Sequence, residues 1–254
     1  MTRKSPGSYG VDAPYALLGL GVPGVVLLIG GFVWTALAGP GWNLVVLALG
    51  VTTTAQAALY LYVTRRGKFA VWAELLDELD LRGDERLLDM GCGRGMVLVQ
   101  AAGRLTTGTA VGLDLWRTGD QSGNDEDTAR ANARAAGVAD RVELRTGDMT
   151  AMPFEDGTFD LVVSSLAVHN IPDADARRKA IEEAARVLRP GGRLVIADFR
   201  HVPAYAGVLA RTGWRELDVR GDLGPRFWYG GPWTGTALVT GTKPVEAVAG
   251  GAAG

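Results

Sequence analysis

Cysteine, histidine and net charge are all scarce in this chain of 254 residues. It has one cysteine, two histidines and a formal net charge of −2, from 26 basic and 28 acidic side chains. A single cysteine, Cys92, excludes an internal disulfide and a multi-cysteine zinc site. Two histidines far apart in the sequence disfavour a histidine-based metal cluster, so we expect no metal site. The balanced charge argues against a nucleic-acid binder that relies on a broad basic surface.

Charged residues are missing altogether from one long stretch. No Asp, Glu, Lys or Arg lies between residues 13 and 64, although charged residues make up 21% of the chain. Two apolar runs, 15–37 and 42–63, fill this stretch and are separated by a Gly/Pro-rich turn. A helix needs about 20 apolar residues to cross a bilayer. We therefore predict two transmembrane helices that form a hairpin, with Tyr and Trp side chains near their ends at the membrane interface.

Two other interpretations of the apolar runs are less consistent with the sequence. A signal peptide has an apolar region of only about 7–15 residues. A hairpin buried inside a soluble protein would show a polar face, which the first run lacks. The second run carries Thr52, Thr53, Thr54 and Gln56, and we expect these side chains to face the first helix.

The basic residues that flank the two runs predict the orientation in the membrane. Arg3 and Lys4 precede the first run, Arg65, Arg66 and Lys68 follow the second, and the turn between the runs has no basic residue. By the positive-inside rule, both termini and the domain that follows are expected to be cytoplasmic. We expect a linker of about five residues to join the hairpin to that domain.

Beyond the hairpin, strand-like and helix-like segments alternate. Strand patterns occur at 86–90, 109–115, 142–146, 160–168, 193–199, 216–219 and 237–242, with helical patterns at 69–81, 96–105, 125–136, 173–188 and 202–212. This alternation predicts a doubly wound, mostly parallel α/β sheet. We divide the chain into a membrane segment, 1–64, a domain, 65–244, and a tail, 245–254, that is expected to be disordered.

A glycine-rich turn after the first strand predicts a ligand site. Gly91, Gly93 and Gly95 follow a strand and precede a helix, where backbone amides can approach a ligand closely. The turn lacks the full dinucleotide-binding pattern, because Met96 occupies the position of its last glycine. Asp114, at the end of the second strand, is suited to bind both hydroxyl groups of a ribose.

Five segments resemble, in the family's order, the motifs of class I S-adenosylmethionine-dependent methyltransferases. They are LDMGCGRG at 88–95, GLDL at 112–115, TGDM at 146–149, MPF at 152–154 and RVLRPGG at 186–192. The resemblance is strongest to the small-molecule branch that includes ubiquinone/menaquinone-biosynthesis enzymes. It implies a Rossmann-like, seven-stranded sheet with an antiparallel last strand, and S-adenosylmethionine as cofactor.

The resemblance also implies a set of cofactor-binding residues. They are Asp89, Gly91, Cys92, Gly93, Gly95, Asp114, Leu115, Trp116, Gly147, Asp148, Met149 and Ser165. Asp114 would hold the ribose, Leu115 and Trp116 would lie against the adenine, and Asp148 would accept from its amino group. Ser165 would contact the methionine end. The long loop 116–124 either covers the adenosine or is a solvated loop that ends in a helix cap.

Four acid/base residues follow the fourth and fifth strands, at the sheet edge where such folds bind ligands. They are His169, Asp198, His201 and Tyr205. Histidine is the natural base near neutral pH, and we favour His169 narrowly, with Asp198 and Tyr205 as groups that orient His201. The aromatic cluster of residues 227–229 and Trp233 is an acceptor wall, a membrane-facing rim or ordinary packing.

The sequence therefore predicts a membrane-anchored methyltransferase for an apolar or amphipathic small molecule. A hairpin would place the catalytic domain where lipid-dissolved acceptors are concentrated. A methyltransferase for a protein or peptide is the second enzyme hypothesis. A non-catalytic scaffold that retains the cofactor fold is the non-enzyme hypothesis, and the intact turn with Asp89 and Asp114 argues against it.

Overall fold

The computed structural model of the protein describes residues 7–214 and 217–245. Arg3, Lys4, Glu216 of the predicted sixth strand and the predicted tail from residue 246 lie outside the described residues. The first two helices are α1, Pro14–Ala38, and α2, Asn43–Tyr62. Pro14 occupies the first position of α1, where its missing N–H costs nothing, and the helix ends at Gly39. Both helices are long and apolar enough to cross a membrane.

Small residues bring α1 and α2 into close contact. A Cβ at Gly24 would lie 2.6 Å from the hydroxyl oxygen of Thr54, and one at Gly50 would lie 2.8 Å from the backbone nitrogen of Leu28. Thr53 also lies beside Gly24, as expected, whereas Thr52 is exposed and its hydroxyl donates to the Ala48 carbonyl oxygen. Helices in lipid associate by such close packing, because lipid tails give no hydrophobic drive for it.

Gly24→Val is expected to separate the two helices, because the added side chain would overlap Thr54. Overpacking of this kind costs roughly 1–3 kcal/mol. Gly30→Val is the matched control, since a Cβ at Gly30 meets nothing within 4 Å. Cross-linking of cysteines placed in α1 and α2 would measure the packing in reconstituted protein. Equal cross-linking in both variants would contradict the observed interface.

The hairpin continues into the following domain as one uninterrupted helix. A π-helical turn, Val63–Gly67, joins α2 directly to α3, Lys68–Glu78. The expected linker of about five residues is therefore wrong. A Cβ at Gly67 would lie 2.1 Å from the carbonyl oxygen of Arg226, so the helix is pressed against the domain where the π-turn widens it. Hairpin and domain are joined by packed structure instead of a loose chain.

The domain contains the predicted seven-stranded sheet. The strands are β1 Arg86–Met90, β2 Thr109–Asp114, β3 Val142–Thr146, β4 Phe159–Ser165, β5 Leu188–Asp198, β6 Leu217–Arg220 and β7 Ala237–Thr242. Their order is β3-β2-β1-β4-β5-β7-β6, with β7 antiparallel to both neighbours. The remaining helices are α4 Met96–Ala102, α5 Glu126–Ala135, α6 Ala174–Val187 and α7 Val202–Arg211. This order confirms the predicted fold class.

Helices cover both faces of the sheet. Leu87 packs in one apolar cluster with Trp72 of α3, and its neighbour Leu88 packs in another with Leu209 of α7. Adjacent strand residues point to opposite faces, so β1 is buried on both sides. Because β1 pairs parallel with β2 and with β4, the carboxyl ends of these three strands lie together at one edge of the sheet.

Strand boundaries differ from the prediction at two positions. The predicted fourth strand ends at Ser165, and Val168–Asn170 forms a 3₁₀ turn instead. The fifth strand, predicted to begin at residue 193, begins at Leu188 and runs through Pro190 and Gly191. Proline disfavours the helical conformation at the preceding residue, so the chain is already extended there.

The residues before α1 pack on the domain. Asp12 forms an isolated antiparallel bridge with Gln121 of the long loop. The backbone N–H of Val11 donates to the Ser122 hydroxyl over 3.0 Å, and that of Ser8 donates to the Asn132 side chain over 2.8 Å. This N-terminal segment, residues 8–12, therefore ties the start of the hairpin to the loop above the glycine-rich turn.

Candidate active site

The glycine-rich turn adopts a conformation that favours glycine at all three positions. The φ angles of Gly91, Gly93 and Gly95 are 75°, 52° and 80°. A Cβ at Gly91 would lie 2.2 Å from that of Ala167, and one at Gly93 would lie 2.8 Å from the Gln121 side-chain oxygen. Side chains would thus be strained and would also fill the space above the turn.

A cavity of about 550 Å³ opens above this turn, a volume typical of small-molecule sites. Most of the predicted cofactor residues line it, namely Asp89, Gly91, Cys92, Gly93, Asp114, Leu115, Gly147, Asp148, Met149 and Ser165. Gly95 and Trp116 do not line the cavity. Trp116 has a φ of 58° and its indole N–H donates to Thr146 over 2.8 Å, so it packs along β3 instead.

Asp114 is fixed by the loops around it. One of its oxygens accepts from the Gly93 N–H over 2.8 Å, and the other accepts from the Trp116 N–H over 2.7 Å. Asn124 also donates to the carboxylate, over 3.3 Å. Carboxylate oxygens have further lone pairs, so Asp114 can also accept from the two hydroxyls of a ribose.

Asp89 carries an unsatisfied oxygen at the cavity. Its Oδ2 accepts from the Leu98 N–H over 2.9 Å, whereas Oδ1 has no partner among the described residues. Burial raises the pKa of Asp89 to about 7, with Asp114 as a lesser cause. A buried carboxylate with a free lone pair suits a cationic ligand group.

Cys92 is a packing residue of the turn. Burial raises the pKa of its thiol well above the usual value, and the nearby carboxylates Asp89 and Asp114 raise it further. The thiolate is the reactive form of cysteine, so the site gives Cys92 no nucleophilic character.

Three of the four predicted acid/base residues, His169, Asp198 and Tyr205, form one cluster. The His169 Nδ1 lies 2.7 Å from an oxygen of this fully buried carboxylate, and the Tyr205 hydroxyl donates to the other oxygen over 3.3 Å. His169 lines the cavity. His201 does not, and it is the exposed residue before α7. The structure thus places Asp198 and Tyr205 with His169, instead of with His201 as we expected.

His169 lies against Asp198 at the wall of the cavity. Its Nδ1 faces the carboxylate at 2.7 Å, although without hydrogen-bond geometry, so Nε2 is the nitrogen left for a ligand in the cavity. The backbone N–H of His169 also donates to Asp198, and the Phe199 ring lies 4.4 Å from the imidazole, centroid to centroid. Burial, and next the Asp198 charge, raise the pKa of Tyr205, so Tyr205 stays a neutral donor.

The predicted aromatic cluster separates into three environments. Phe227 is buried in the core, Tyr229 lines the cavity, and Trp233 is 72% exposed. Ordinary packing therefore applies to Phe227, whereas the acceptor-wall and membrane-rim interpretations stay predictions for Tyr229 and Trp233.

The sequence did not indicate one polar part of the cavity wall. Asp12, Lys68 and Tyr229 meet there: the Lys68 ammonium lies 2.6 Å from Asp12, and the Tyr229 hydroxyl donates to the same carboxylate over 2.8 Å. Burial alone would raise the pKa of Asp12, but Lys68 and the hydrogen bonds hold it below the usual value. These residues are far apart in the sequence, so no local pattern predicts that they are in contact.

Comparison with known proteins identifies the domain. Residues 88–196 match a family described as a methyltransferase domain. The chain is 42% identical over 134 residues to a 27-O-demethylrifamycin SV methyltransferase of Amycolatopsis mediterranei, covering 52% of this chain and 45% of that one. It is 36% identical over 138 residues to a ubiquinone/menaquinone biosynthesis C-methyltransferase UbiE of Roseobacter denitrificans, covering 54% and 52%.

The fold has solved relatives as well. The [4+2]-cyclase SpnF superposes with a TM-score of 0.55 at 23% identity, over 68% of this chain and 80% of that one. A putative S-adenosyl-L-methionine-dependent methyltransferase of Methanococcus maripaludis gives 0.55 at 17% identity, over 78% and 95%. At such identities the likeness shows the fold alone.

Residues 88–196 thus match a methyltransferase domain, and this match together with the named methyltransferase relatives supports S-adenosylmethionine as the cofactor. The chain spans about half the length of the curated relatives it matches. The residues present fit this cofactor, since the glycine-rich turn leaves room for it and Asp114 can accept from its ribose. The partnerless oxygen of Asp89 fits one of its cationic groups.

Asp114→Ala is expected to weaken S-adenosylmethionine binding by roughly 1–3 kcal/mol, because the ribose hydroxyls lose a charged acceptor. Asp160→Ala is the matched control. Asp160 also accepts a backbone N–H, from Arg86, but lies at the opposite end of its strand. Calorimetry with thermal melting of both variants measures this. Unchanged affinity in a folded Asp114→Ala protein would show that the ribose assignment is wrong.

Proposed function

We propose that this chain is a membrane-anchored methyltransferase that transfers a methyl group from S-adenosylmethionine to an apolar or amphipathic small molecule. The observation that carries the proposal is one cavity of small-molecule size, lined both by the glycine-rich turn and by His169. When bound, S-adenosylmethionine supplies an electrophilic methyl group on a sulfonium. His169, held by Asp198, would take the proton that the acceptor loses on methylation.

The membrane part of the proposal rests on the surface of the hairpin. Large apolar side chains of α1 and α2 remain exposed, among them Leu18, Val26, Phe32, Leu44 and Val51. Exposed apolar surface on this scale marks a membrane or protein contact. The exposed side chains of Trp42 and Tyr15 lie near opposite ends of the hairpin, where interfacial aromatic residues are common.

The proposed orientation is cytoplasmic for both termini and for the domain. Arg65 and Arg66 are exposed directly after α2, on the side of the domain. Lys68 does not count as a surface charge, because it is buried against Asp12. The turn Gly39–Gly41 at the other end has no basic residue, which agrees with the positive-inside rule.

The test uses the full chain reconstituted in lipid vesicles. It is incubated with methyl-labelled S-adenosylmethionine and a lipid extract of bacterial membranes, and the products are separated into an organic phase and precipitated protein. Label in a small molecule of the organic phase supports the proposal. Label in protein alone would favour the second enzyme hypothesis, a protein or peptide acceptor. Absence of S-adenosylmethionine binding in calorimetry would leave only the scaffold hypothesis.

A further inference from the structure

The cavity of the methyltransferase domain extends to the membrane hairpin. Its wall includes Ala13 and Ala16 at the start of α1 and Tyr60 in the last turn of α2, beside Lys68 and Tyr229. Gly91 and Asp114 line the same cavity. The hairpin therefore encloses part of the ligand space and is more than a tether.

The hairpin end of the cavity lies at the level of the membrane interface. Ala16 directly follows Tyr15, which is 79% exposed, and Tyr60 precedes Tyr62, which is 44% exposed. At about 1.5 Å of rise per residue, Arg65 stands only about 8 Å along the helix from Tyr60. Exposed tyrosines followed by arginine mark the interfacial zone, so this end of the cavity is within reach of molecules dissolved in the bilayer.

The C-terminal part of the domain holds this end of the cavity against the hairpin. The rings of Tyr60 and Tyr229 meet edge to face with centroids 5.1 Å apart. A Cβ at Gly230 would lie 3.4 Å from Leu20 of α1. Trp233, three residues further on, is exposed beside this contact. The loop 228–235 therefore forms a rim between the domain and the start of α1.

A buried polar group lies in the wall at this end. Lys68 donates to both oxygens of Asp12, over 2.6 and 2.8 Å, while the Tyr229 hydroxyl and the Gln121 amide also donate to that carboxylate. An ammonium has three N–H donors, and two of those of Lys68 are used by Asp12. One donor thus remains for an oxygen of a ligand in the cavity.

We propose that the hairpin forms one wall of the acceptor site, and that an acceptor with an oxygen-bearing polar head and an apolar tail enters sideways from the bilayer. The entry lies between the first turn of α1 and the loop 228–235, and the head reaches Lys68 on its way to His169. This inference rests on the proposed function and narrows it to acceptors that are dissolved in the membrane.

Photolabelling tests the entry route without requiring methyl transfer. The full chain in phosphatidylcholine vesicles is exposed to a phenol that carries a long alkyl tail with a diazirine, and the labelled residues are mapped by mass spectrometry. We expect labelling at the start of α1 and in the loop 228–235. Excess 4-dodecylphenol should compete with it, whereas phenol without a tail should not.

Ala16→Trp is expected to close the entry, because it adds a large ring to a residue of the cavity wall. Labelling of the loop 228–235 should fall at least tenfold. Ala36→Trp is the matched control: it makes the same change in the same helix at an exposed residue that does not line the cavity. Ala16→Leu is a milder second variant. Calorimetry should give unchanged S-adenosylmethionine binding in all three variants.

The outcomes separate this inference from the proposed function. Labelling that tailless phenol displaces equally well, or that Ala16→Trp leaves unchanged, overturns the inference even if the protein methylates a small molecule. Competed labelling that Ala16→Trp abolishes supports the entry route, and it does so even if no labelled methyl group enters the organic phase. Absence of labelled methyl groups from the organic phase would overturn the proposed function but not the entry route.

Discussion

His169→Ala is expected to lower the turnover number by roughly 10²–10⁴-fold, the range typical for loss of a general base. His169 is the histidine that lines the cavity, and its Nδ1 lies 2.7 Å from the buried carboxylate of Asp198. Nδ1 therefore faces Asp198, and Nε2 is the nitrogen that would accept the proton from an acceptor. Binding of S-adenosylmethionine should change little, because the turn and Asp114 are untouched. The measurement is turnover at saturating cofactor in reconstituted protein.

His201→Ala is the matched control, because it removes the same side chain from an exposed residue outside the cavity. Its turnover should stay near that of the unaltered chain. Added imidazole should partly restore the His169→Ala variant, which a purely structural defect would not allow. If His169→Ala and the double variant both keep normal turnover, then catalysis proceeds by alignment alone and the base assignment is wrong.

Asp198→Asn separates positioning from proton transfer. The amide would still contact His169 but would not favour the tautomer with its proton on Nδ1. A smaller loss of turnover than in His169→Ala, without loss of cofactor affinity, is the result that identifies Asp198 as a positioning residue.

The sequence predicts the local parts of this protein well. The ends of α1 lie within one residue of the apolar run that predicted it, because length and hydrophobicity alone decide that helix. The glycine-rich turn is equally local, since Gly91, Gly93 and Gly95 adopt the left-handed conformation that only glycine adopts readily. The resemblance supplied the antiparallel last strand, which the pattern of β7 alone does not distinguish.

The contacts that the sequence does not predict join distant segments. From the sequence, Lys68 is predicted to be an exposed charge beside the membrane. In the structure its ammonium lies 2.6 Å from the carboxylate of Asp12, which is 56 residues earlier in the chain. The continuous helix through Val63–Gly67 likewise depends on the packing of Gly67 against Arg226, far along the chain. The pairing of Asp198 with His169 instead of His201 follows from the ends of β4 and β5 lying side by side. A spacing within one segment contains none of this information.

Asp89 illustrates how a binding site can cost stability. Its pKa of about 7, raised first by burial, means that the folded protein holds a proton that the unfolded chain releases near pH 4. Ionisation therefore opposes folding: the cost is absent below about pH 4, grows up to about pH 7, and is constant above. Its size at neutral pH is on the order of 4 kcal/mol, since each pKa unit corresponds to about 1.4 kcal/mol. A cationic ligand group that pairs with the ionised carboxylate would offset this loss of stability.

Asp89→Asn is accordingly expected to have opposite effects on stability and on binding. Without ligand at pH 7.5, the variant should be more stable by on the order of 4 kcal/mol, because an amide keeps the Leu98 hydrogen bond without a charge. Its affinity for S-adenosylmethionine should fall by roughly 1.5–3 kcal/mol, the usual loss for a hydrogen bond to a charged group. Denaturant unfolding and calorimetry on the same samples measure the two effects.

The pH dependence provides the decisive comparison. Affinity of the unaltered chain should rise as the pH is raised through about 7, with release of a proton on binding, because only ionised Asp89 pairs with the cation. This rise should disappear in Asp89→Asn. Asp148→Asn is the control: Asp148 lines the same cavity but is exposed, so its amide should bring no gain in stability. Two results would contradict this role of the Asp89 charge. One is an Asp89→Asn variant that is less stable than the unaltered chain, and the other is a variant whose cofactor affinity still rises with pH.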